Sequence, residues 1–363
     1  MAEAFRACQA VFEHDPHNIE TLHLSGLIAI AFGRNDIAVA AAQQAVTLGG
    51  CSAHHHNTLG LALAGLGRLE DAAASYTVAV RLAPDEPSLL CNLGFVLNRL
   101  GRNGEAARVF RRALALDPTS ARSPVQRGLS LALYPGYDYQ RVLSEIHEWM
   151  RPATYVEIGV STGASLALVR PPTRAIGIDP APRIQGDSPA TTQIFATTSD
   201  QFFAEHDLRA VLGGRDFDLA FVDGLHTFEQ TLADIANLER SAGPDSIILV
   251  HDVLPADEAC AARDCRSALW AGDTWKIIPA LCRARHDLEL SLIPAAPTGL
   301  AAIRGLAPTM AQSLSDLIGS LKADLMALTF ADFCALAAER QPLIIANDPA
   351  TIKERLTRAR PKR

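Results

Sequence analysis

The sequence contains no C-x-x-C pair. Its seven cysteines are odd in number and scattered, so neither a zinc knuckle nor a disulfide framework is read from them, and buried, inert thiols in a reducing compartment are expected. Long apolar runs are missing as well: Gly26–Phe32 is cut off by Gly33, far short of the roughly 18 residues a membrane span requires. Positive charge is in deficit, with 33 Lys and Arg against 40 Asp and Glu and a net charge of −7. That argues against nucleic acid or an anionic membrane as the main partner, since both call for a basic face. Met1–Arg6 shows no basic segment leading into an apolar one, so no secretory signal is read and a cytoplasmic location is expected. What remains is ordinary globular composition, 48 % hydrophobic and 20 % charged over 363 residues, at a length natural for two domains.

The first third repeats. Gly26, Gly60 and Gly94 stand 34 residues apart, and the same interval links Gly33, Gly67 and Gly101, then Ala38, Ala72 and Ala106, then Ala45, Ala79 and Ala113. Pro16, Pro84 and Pro118 share the ladder, with Gly50 on the empty rung. A small residue within a first helix lets a second approach, a glycine ends the first helix in a left-handed cap, and a proline stops the second. This helix–turn–helix array resembles the tetratricopeptide repeat. Full units are expected at about 19–52, 53–86 and 87–120, with residues 1–18 as the second helix of an incomplete unit. Their groove should be lined by first-helix residues such as His23, Leu27, Asn57, Leu61, Asn92, Phe95 and Asn98, a surface suited to a protein partner or an acceptor. His54, His55 and His56 point about 100° apart on a helix and cannot converge on one ion; they are read as polar helix-entry residues.

After Pro118 the pattern breaks into turn-rich sequence at Ser123-Pro124 and Tyr134–Tyr139, followed by an amphipathic stretch at Gln140–Met150. From Thr154 the period changes. Strands are expected at Tyr155–Gly159, Arg174–Asp179, Gln193–Thr197, Phe217–Asp223 and Ser246–Val250, with helices at Ser165–Val169 and Glu229–Arg240. Leu288–Ile293 and Leu300–Ile303 read as a closing hairpin pair. Apolar strands alternating with helices make a doubly wound, Rossmann-like parallel sheet. The fold class is therefore α plus α/β, a helical repeat solenoid followed by a Rossmann-like domain. The expected boundaries are repeats over 1–120, a helical linker over 121–153, the sheet domain over 154–305 and a helical extension over 306–363.

In such a sheet ligands bind beyond the carboxyl ends of the strands, and polar residues collect there: Glu157, Gly159, Asp179, Ser199, Asp200, Asp223, His251 and Asp252. The first turn, Glu157-Ile-Gly-Val-Ser-Thr-Gly163, brings backbone near a ligand but is not G-x-G-x-x-G, because Ser161 stands at the second glycine. An acid in that turn repels a pyrophosphate and suits an ammonium group. Asp179, 22 residues after Glu157, is placed to accept ribose hydroxyls. Together these favour S-adenosylmethionine over NAD, with Glu157, Gly159, Ser161, Gly163, Asp179, Ser199 and Asp200 as its expected contacts.

Tyr155–Ser165, Phe221-Val-Asp-Gly-Leu-His226, His251-Asp252 and Gly272-Asp-Thr-Trp-Lys276 resemble class I S-adenosylmethionine-dependent methyltransferases, in particular the macrocin and mycinamicin sugar O-methyltransferases and the cephalosporin-hydroxylase-like proteins. The resemblance spans roughly 135–305. It implies metal-assisted O-methylation of a vicinal diol, often on a sugar, with a small molecule or glycan as acceptor. By position it makes Asp223 a metal ligand, His226 the general base, and His251 with Asp252 the second ligand pair. His251 departs from the pattern, since an acid is usual there in the sugar enzymes; magnesium prefers oxygen, whereas imidazole suits manganese, iron or zinc. Trp275 and Lys276 are read either as bordering the substrate or, for the Trp, as packing at a helix start. The alternatives are a protein or peptide methyltransferase, and an interaction scaffold whose second domain is inactive or does not methylate. A homo-oligomer is compatible with the helical extension.

Overall fold

The computed structural model describes residues 15, 17–49, 52–118, 122–186, 191–336 and 340–358. The half-unit expected at 1–18 lies almost wholly outside these residues, as do Pro16 and Gly50. The chain divides into two compact units, Met1–Leu133 and Tyr134–Arg363. No helix among the described residues is long and apolar enough to cross a membrane.

The first unit is a row of antiparallel helix pairs: α1 (Ile19–Ala31) with α2 (Asn35–Gly49), α3 (Ala53–Gly65) with α4 (Leu69–Leu82), and α5 (Pro87–Arg99) with α6 (Asn103–Leu116). Gly33, Gly67 and Gly101 take φ of 70°, 77° and 72°, the left-handed turn expected of a helix cap. Ala38, Ala45, Ala72, Ala79, Ala106 and Ala113 are buried. At Gly60 a Cβ would stand 2.7 Å from the Tyr76 ring, and at Gly94 2.7 Å from the Phe110 ring, so each aromatic of a second helix seats on the glycine of its own first helix. Phe110 also seats on Gly128, on α7 (Arg122–Leu133). Gly128 stands 34 residues beyond Gly94, which makes α7 the first helix of a fourth unit. The turn signal at Pro124 is instead a proline in the first turn of a helix, where no intrahelical N–H is missed.

Several residues expected in the groove bond the helices to one another. Asn92 donates to Asn57 Oδ1 at 2.8 Å, Asn98 donates to the Gly128 carbonyl at 2.8 Å, and Thr58 bonds His23 Nδ1 at 3.2 Å. Leu27 and Phe95 stay open to solvent, at 37 % and 36 % exposure.

In the second unit, α8 (Tyr139–Met150) precedes a seven-stranded sheet of order β3-β2-β1-β4-β5-β7-β6. The strands are β1 (Thr154–Ile158), β2 (Arg174–Ile178), β3 (Thr192–Phe195), β4 (Phe217–Val222), β5 (Ala242–His251), β6 (Glu289–Ile293) and β7 (Leu300–Arg304). The first five pair in parallel, and β7 runs antiparallel to both β5 and β6. Because both faces of the central strands are covered, β1, β2, β4 and the second half of β5 are largely apolar, whereas β3 at the sheet edge is partly exposed. Val156, Ile176, Ala220 and Ile248 pack with Leu232 and Ile235 of α10 (Phe228–Glu239); Tyr155, Ala175, Leu219 and Leu249 pack with Val142 and Ile146 of α8.

The helix expected at Ser165–Val169 is a single 3-10 turn, Leu166–Leu168. Ser165 is tied to Glu157, and Pro171 and Pro172 follow with no N–H to extend a helix. The segment 121–153, expected as a linker, is divided, with α7 in the first unit and α8 in the second. Beyond β7 the chain forms α12 (Ala311–Ala327), α13 (Phe330–Ala335) and α14 (Pro349–Thr357), after a short α9 (Ser199–Glu205) and α11 (Ile277–Ala284) earlier in the unit.

Candidate active site

A cleft of about 720 Å³ opens at the carboxyl ends of the parallel strands. Its wall takes Gly159 and Ser161 from the turn after β1, Asp179 after β2, Ser199 and Asp200 at the start of α9, Asp223 and His226 after β4, and His251 and Asp252 at the end of β5. Gly159 has φ 90°, and a Cβ there would collide with the Asp223 backbone carbonyl. The glycine is thus needed to bring the β1 and β4 turns together. Ser161, at φ 48°, donates its N–H to Asp179 Oδ2 at 2.8 Å, while Asp179 Oδ1 accepts from Ala181 N–H at 2.7 Å. One carboxylate therefore sets the shape of two strand-end turns.

Glu157 and Gly163, expected among the cofactor contacts, stand behind this wall. Glu157 is fully buried and accepts from the Tyr155 hydroxyl and the Ser165 hydroxyl, each at 2.7 Å. Burial pushes its pKa up to about 7, against the pull of those two hydrogen bonds. It holds Ser165, which does line the cleft. Gly163, at φ 80°, faces Ile184. Trp275 and Lys276 are also set back: Trp275 is buried against Phe333, and the Lys276 ammonium lies 3.6 Å from Asp273.

Besides Tyr139 of α8, the cleft wall takes the aromatic Trp270. Its ring stacks on His226 at 5.0 Å and 5°, its Nε1 donates to the Ala262 carbonyl at 2.7 Å, and its own carbonyl lies 3.0 Å from His226 Nδ1. No periodic pattern marks a loop residue of this kind. Gln230 and Asp234, likewise unanticipated, sit four apart on α10. The Gln230 amide nitrogen contacts Ser199 Oγ at 3.2 Å, Asp200 Oδ1 at 2.9 Å and Asp234 Oδ1 at 3.1 Å. Burial drives the pKa of Asp234 up to about 7. The i, i+4 spacing of two polar residues was the available signal.

At the other end of the cleft four side chains meet. His226, at φ 57°, places Nδ1 2.8 Å from Asp252 Oδ2 and Nε2 3.8 Å from Asp223 Oδ1. Gly272 makes room, since a Cβ there would strike the His226 carbonyl. His251 Nδ1 lies 3.2 Å from Asp223 Oδ1 and 3.5 Å from Asp252 Oδ1, and Thr298 bonds both His251 Nε2 and Asp252 Oδ1. Burial would lower the pKa of both histidines, but the carboxylates outweigh it. His226 is raised by its bond to Asp252, and His251 is pushed up to about 9 by Asp252 and Asp223. Asp252 is lowered, its burial overcome by the two imidazoles.

Among the described residues, Asp223, His226 and Asp252 form the group whose donor atoms lie within 4.8 Å of one another. His251, expected as a ligand, is not of that group; its Nδ1 is turned to the carboxylates instead. His226, expected only as a base, is. Two carboxylates and an imidazole whose Nε2 stands 3.8 Å from Asp223 Oδ1 are a donor set that could hold a divalent cation. The opposite end of the cleft fits S-adenosylmethionine. Its wall offers acceptors for hydroxyl and amino groups, and no Lys or Arg among the described residues lines it to hold a phosphate.

A family model described as a methyltransferase domain matches residues 156–253, and one described as a tetratricopeptide repeat matches residues 24–87 and 59–121. The chain thus carries a repeat region followed by a methyltransferase domain. Similar solved structures include MamA, at 24 % identity over 35 % of this chain and 73 % of that one, with a TM-score of 0.33. The Arabidopsis OM64 TPR domain matches at 23 % identity over 31 % and 93 %, with a TM-score of 0.30. The second TPR domain of human RPAP3, solved with an HSP70 peptide, matches at 19 % identity over 32 % and 98 %, also with a TM-score of 0.30. No curated protein gives a significant match.

Proposed function

We propose that the second unit is an S-adenosylmethionine-dependent O-methyltransferase that acts on a hydroxyl of a sugar or other vicinal-diol acceptor, with His226 as general base. The observation that carries this reading is the fixed ring of His226. Its Nδ1 is bracketed by the Trp270 carbonyl and Asp252 Oδ2, two acceptors, so Nδ1 bears the hydrogen. In the neutral ring the lone pair then lies on Nε2, on the cleft side. S-adenosylmethionine, when bound, supplies a methyl group already activated on a sulfonium. The chain must therefore supply orientation and a deprotonated oxygen.

His226 would take the acceptor's hydroxyl proton at Nε2, readying that oxygen for the methyl group the cofactor would supply. Asp252 holds the ring and stabilises the imidazolium that results, and Trp270 fixes its plane. Asp179 and Asp200 accept from the cofactor's hydroxyl and amino groups. A wall carrying Asp179, Asp200, Asp223, Asp234 and Asp252 without Lys or Arg suits a cationic cofactor and an uncharged acceptor. The repeats dock the acceptor or a protein partner, and the open Leu27 and Phe95 support that role.

Calorimetry with S-adenosylmethionine, its demethylated product and NAD tests the cofactor assignment; clear binding of NAD, or none of the other two, defeats it. Mass-spectrometric screening of sugars, glycans and peptides with methyl-labelled cofactor tests the acceptor class. Label transferred to peptides and to no polyol would replace the hydroxyl reading with the protein one.

A further inference from the structure

His226 keeps a left-handed backbone, at φ 57°, which a residue with a side chain holds only where its surroundings fix it. The segment Gly272–Lys276 does the fixing. Gly272, at φ 60°, lies against the His226 carbonyl, and the Asp273 N–H donates to that carbonyl at 3.2 Å. The Asp273 side chain reaches the same turn two residues on, where Oδ1 accepts from the Phe228 N–H at 3.0 Å. Phe228 opens α10, and the first N–H groups of a helix need an acceptor from outside it. Thr227, at the cap position, makes no side-chain bond to them. Asp273, 45 residues further along the chain, takes that place, and its negative charge suits the positive end of the helix.

The other carboxylate oxygen, Oδ2, meets two cations. Arg263 Nη1 donates to it at 2.8 Å, while the same guanidinium bonds Glu229, in the first turn of α10, at 2.9 and 3.1 Å. Lys276 Nζ lies 3.6 Å from Oδ2 and donates to the Met326 carbonyl, in the last turn of α12, at 3.3 Å. Next to it Trp275 packs on Phe333 of α13, at 5.2 Å between ring centroids. Asp273 and Lys276 are both buried, so each is answered by the other and not by water. Trp275 and Lys276 do not line the cleft; the segment acts on the site through what it holds.

We propose that Asp273 is a positioning residue of this site: it fixes the turn that aims His226, and through Lys276 it makes the helical extension beyond β7 part of the active-site frame. This role rests on the reading of His226 as the base, but its first test reads the placement of a ring and needs no turnover.

The full-length protein, deuterated except for its histidine and tryptophan rings, should show nuclear Overhauser contacts between His226 and Trp270, whose rings stack at 5.0 Å; their loss in His226→Gln assigns them. Asp273→Ala should lose these contacts. Asp273→Asn, which keeps an acceptor for the Phe228 N–H, should retain them. Lys276→Met, which cuts the tie to α12, should weaken them. All three variants should bind the demethylated cofactor within about threefold of the wild type, which separates a misplaced ring from a collapsed domain. With an acceptor in hand, Asp273→Ala should lower kcat by about 10²-fold, the usual effect of a misaligned group, with its KM little changed, and Asp273→Asn should recover most of the loss. Contacts of wild-type strength in Asp273→Ala would overturn the positioning role, as would their equal loss in Asp273→Asn. Contacts unmoved in Lys276→Met would overturn the part given to the extension. If Asp273→Ala does not fold, the asparagine and Lys276 variants decide alone. Failure of the wild type to bind the demethylated cofactor would defeat the methyltransferase reading, whereas the ring contacts report on Asp273 by themselves.

Discussion

In the proposed reaction His226 concentrates the chemistry of the site in one ring, and its surroundings say how the rate should vary. With Nδ1 tied to Asp252 and the Trp270 carbonyl, the basic nitrogen is Nε2, and the raised pKa sets when it is free. Turnover should climb with pH through an apparent pKa above 6.5, because the charged ring has no lone pair to offer. His226→Ala should lower kcat by about 10²–10⁴, the usual worth of general-base help, with cofactor affinity unchanged in calorimetry. A variant that keeps full turnover removes the base from the mechanism. Glu157 makes a different prediction, one of stability. Its folded pKa is raised from 4.5 to about 7, so the folded protein holds a proton there that the unfolded chain releases. Stability from this group is therefore present below about pH 4.5 and lost as pH rises to about 7, a change of order 3 kcal/mol. Glu157→Gln should flatten that slope in thermal denaturation between pH 5 and 7.5, and an unchanged slope would show that Glu157 is already ionised. Both residues were legible in the sequence, as acid and base at strand ends, but the location of Glu157 was not. Nothing in its neighbours tells whether a strand-end acid looks into the cleft or is sealed below it by Tyr155 and Ser165. Trp270 and Thr298 lie on connections with no period, so only folding brings them to the site.

Elements were easiest to read where one physical rule sufficed. The central parallel strands β1, β2 and β4 are short, largely apolar runs between turns, because both faces of the sheet are covered there. The repeats advertise themselves through a recurrent glycine, covered by Tyr76 at Gly60 and by Phe110 at Gly94, and by Ala38 and Ala42 with Thr58 at Gly26. Where two rules competed, the stronger local constraint won: the tether of Ser165 and the two prolines reduced the helix after β1 to one turn, and Pro124 hid α7 by looking like a stop. The packing of Phe110 against both Gly94 and Gly128 tests the fourth unit directly. Gly128→Ala gains up to about 1 kcal/mol of helix propensity but forces a methyl into the Phe110 ring, an overpacking that costs about 1–3 kcal/mol. A net loss of stability is expected, relieved when Phe110→Leu is added. Gly104→Ala, whose Cβ would meet nothing within 4 Å, should be neutral or stabilising. Equal effects of the two alanines in chemical denaturation would mean that α7 is not seated on α6.

The division of the molecule falls between Leu133 and Tyr134, and it sets which fragments should work. A repeat array is held by nearest-neighbour contacts, and α7 ends it by covering α6. The methyltransferase unit needs α8, because Val142, Leu143 and Ile146 are buried on the sheet and Tyr139 reaches the cleft beside His251. The fragment 134–363 should therefore fold alone and bind the demethylated cofactor within about threefold of the full chain's affinity, a difference below about 1 kcal/mol. The fragment 154–363 matches the expected domain boundary but strips α8 from one face of the sheet, and it should fold poorly and bind little. Circular dichroism and calorimetry on the two fragments distinguish these outcomes. If 154–363 binds as well as 134–363, α8 is dispensable and Tyr139 has no part in the site. If 134–363 does not fold, the two units stabilise one another and the division is not one of stability. With a true acceptor in hand, the same fragment separates the roles of the two units. Loss of the repeats should raise the acceptor KM and leave kcat and cofactor binding as they are, since His226, Asp223 and Asp252 all belong to the second unit. An acceptor KM that is unmoved would show that the repeats dock something other than the acceptor.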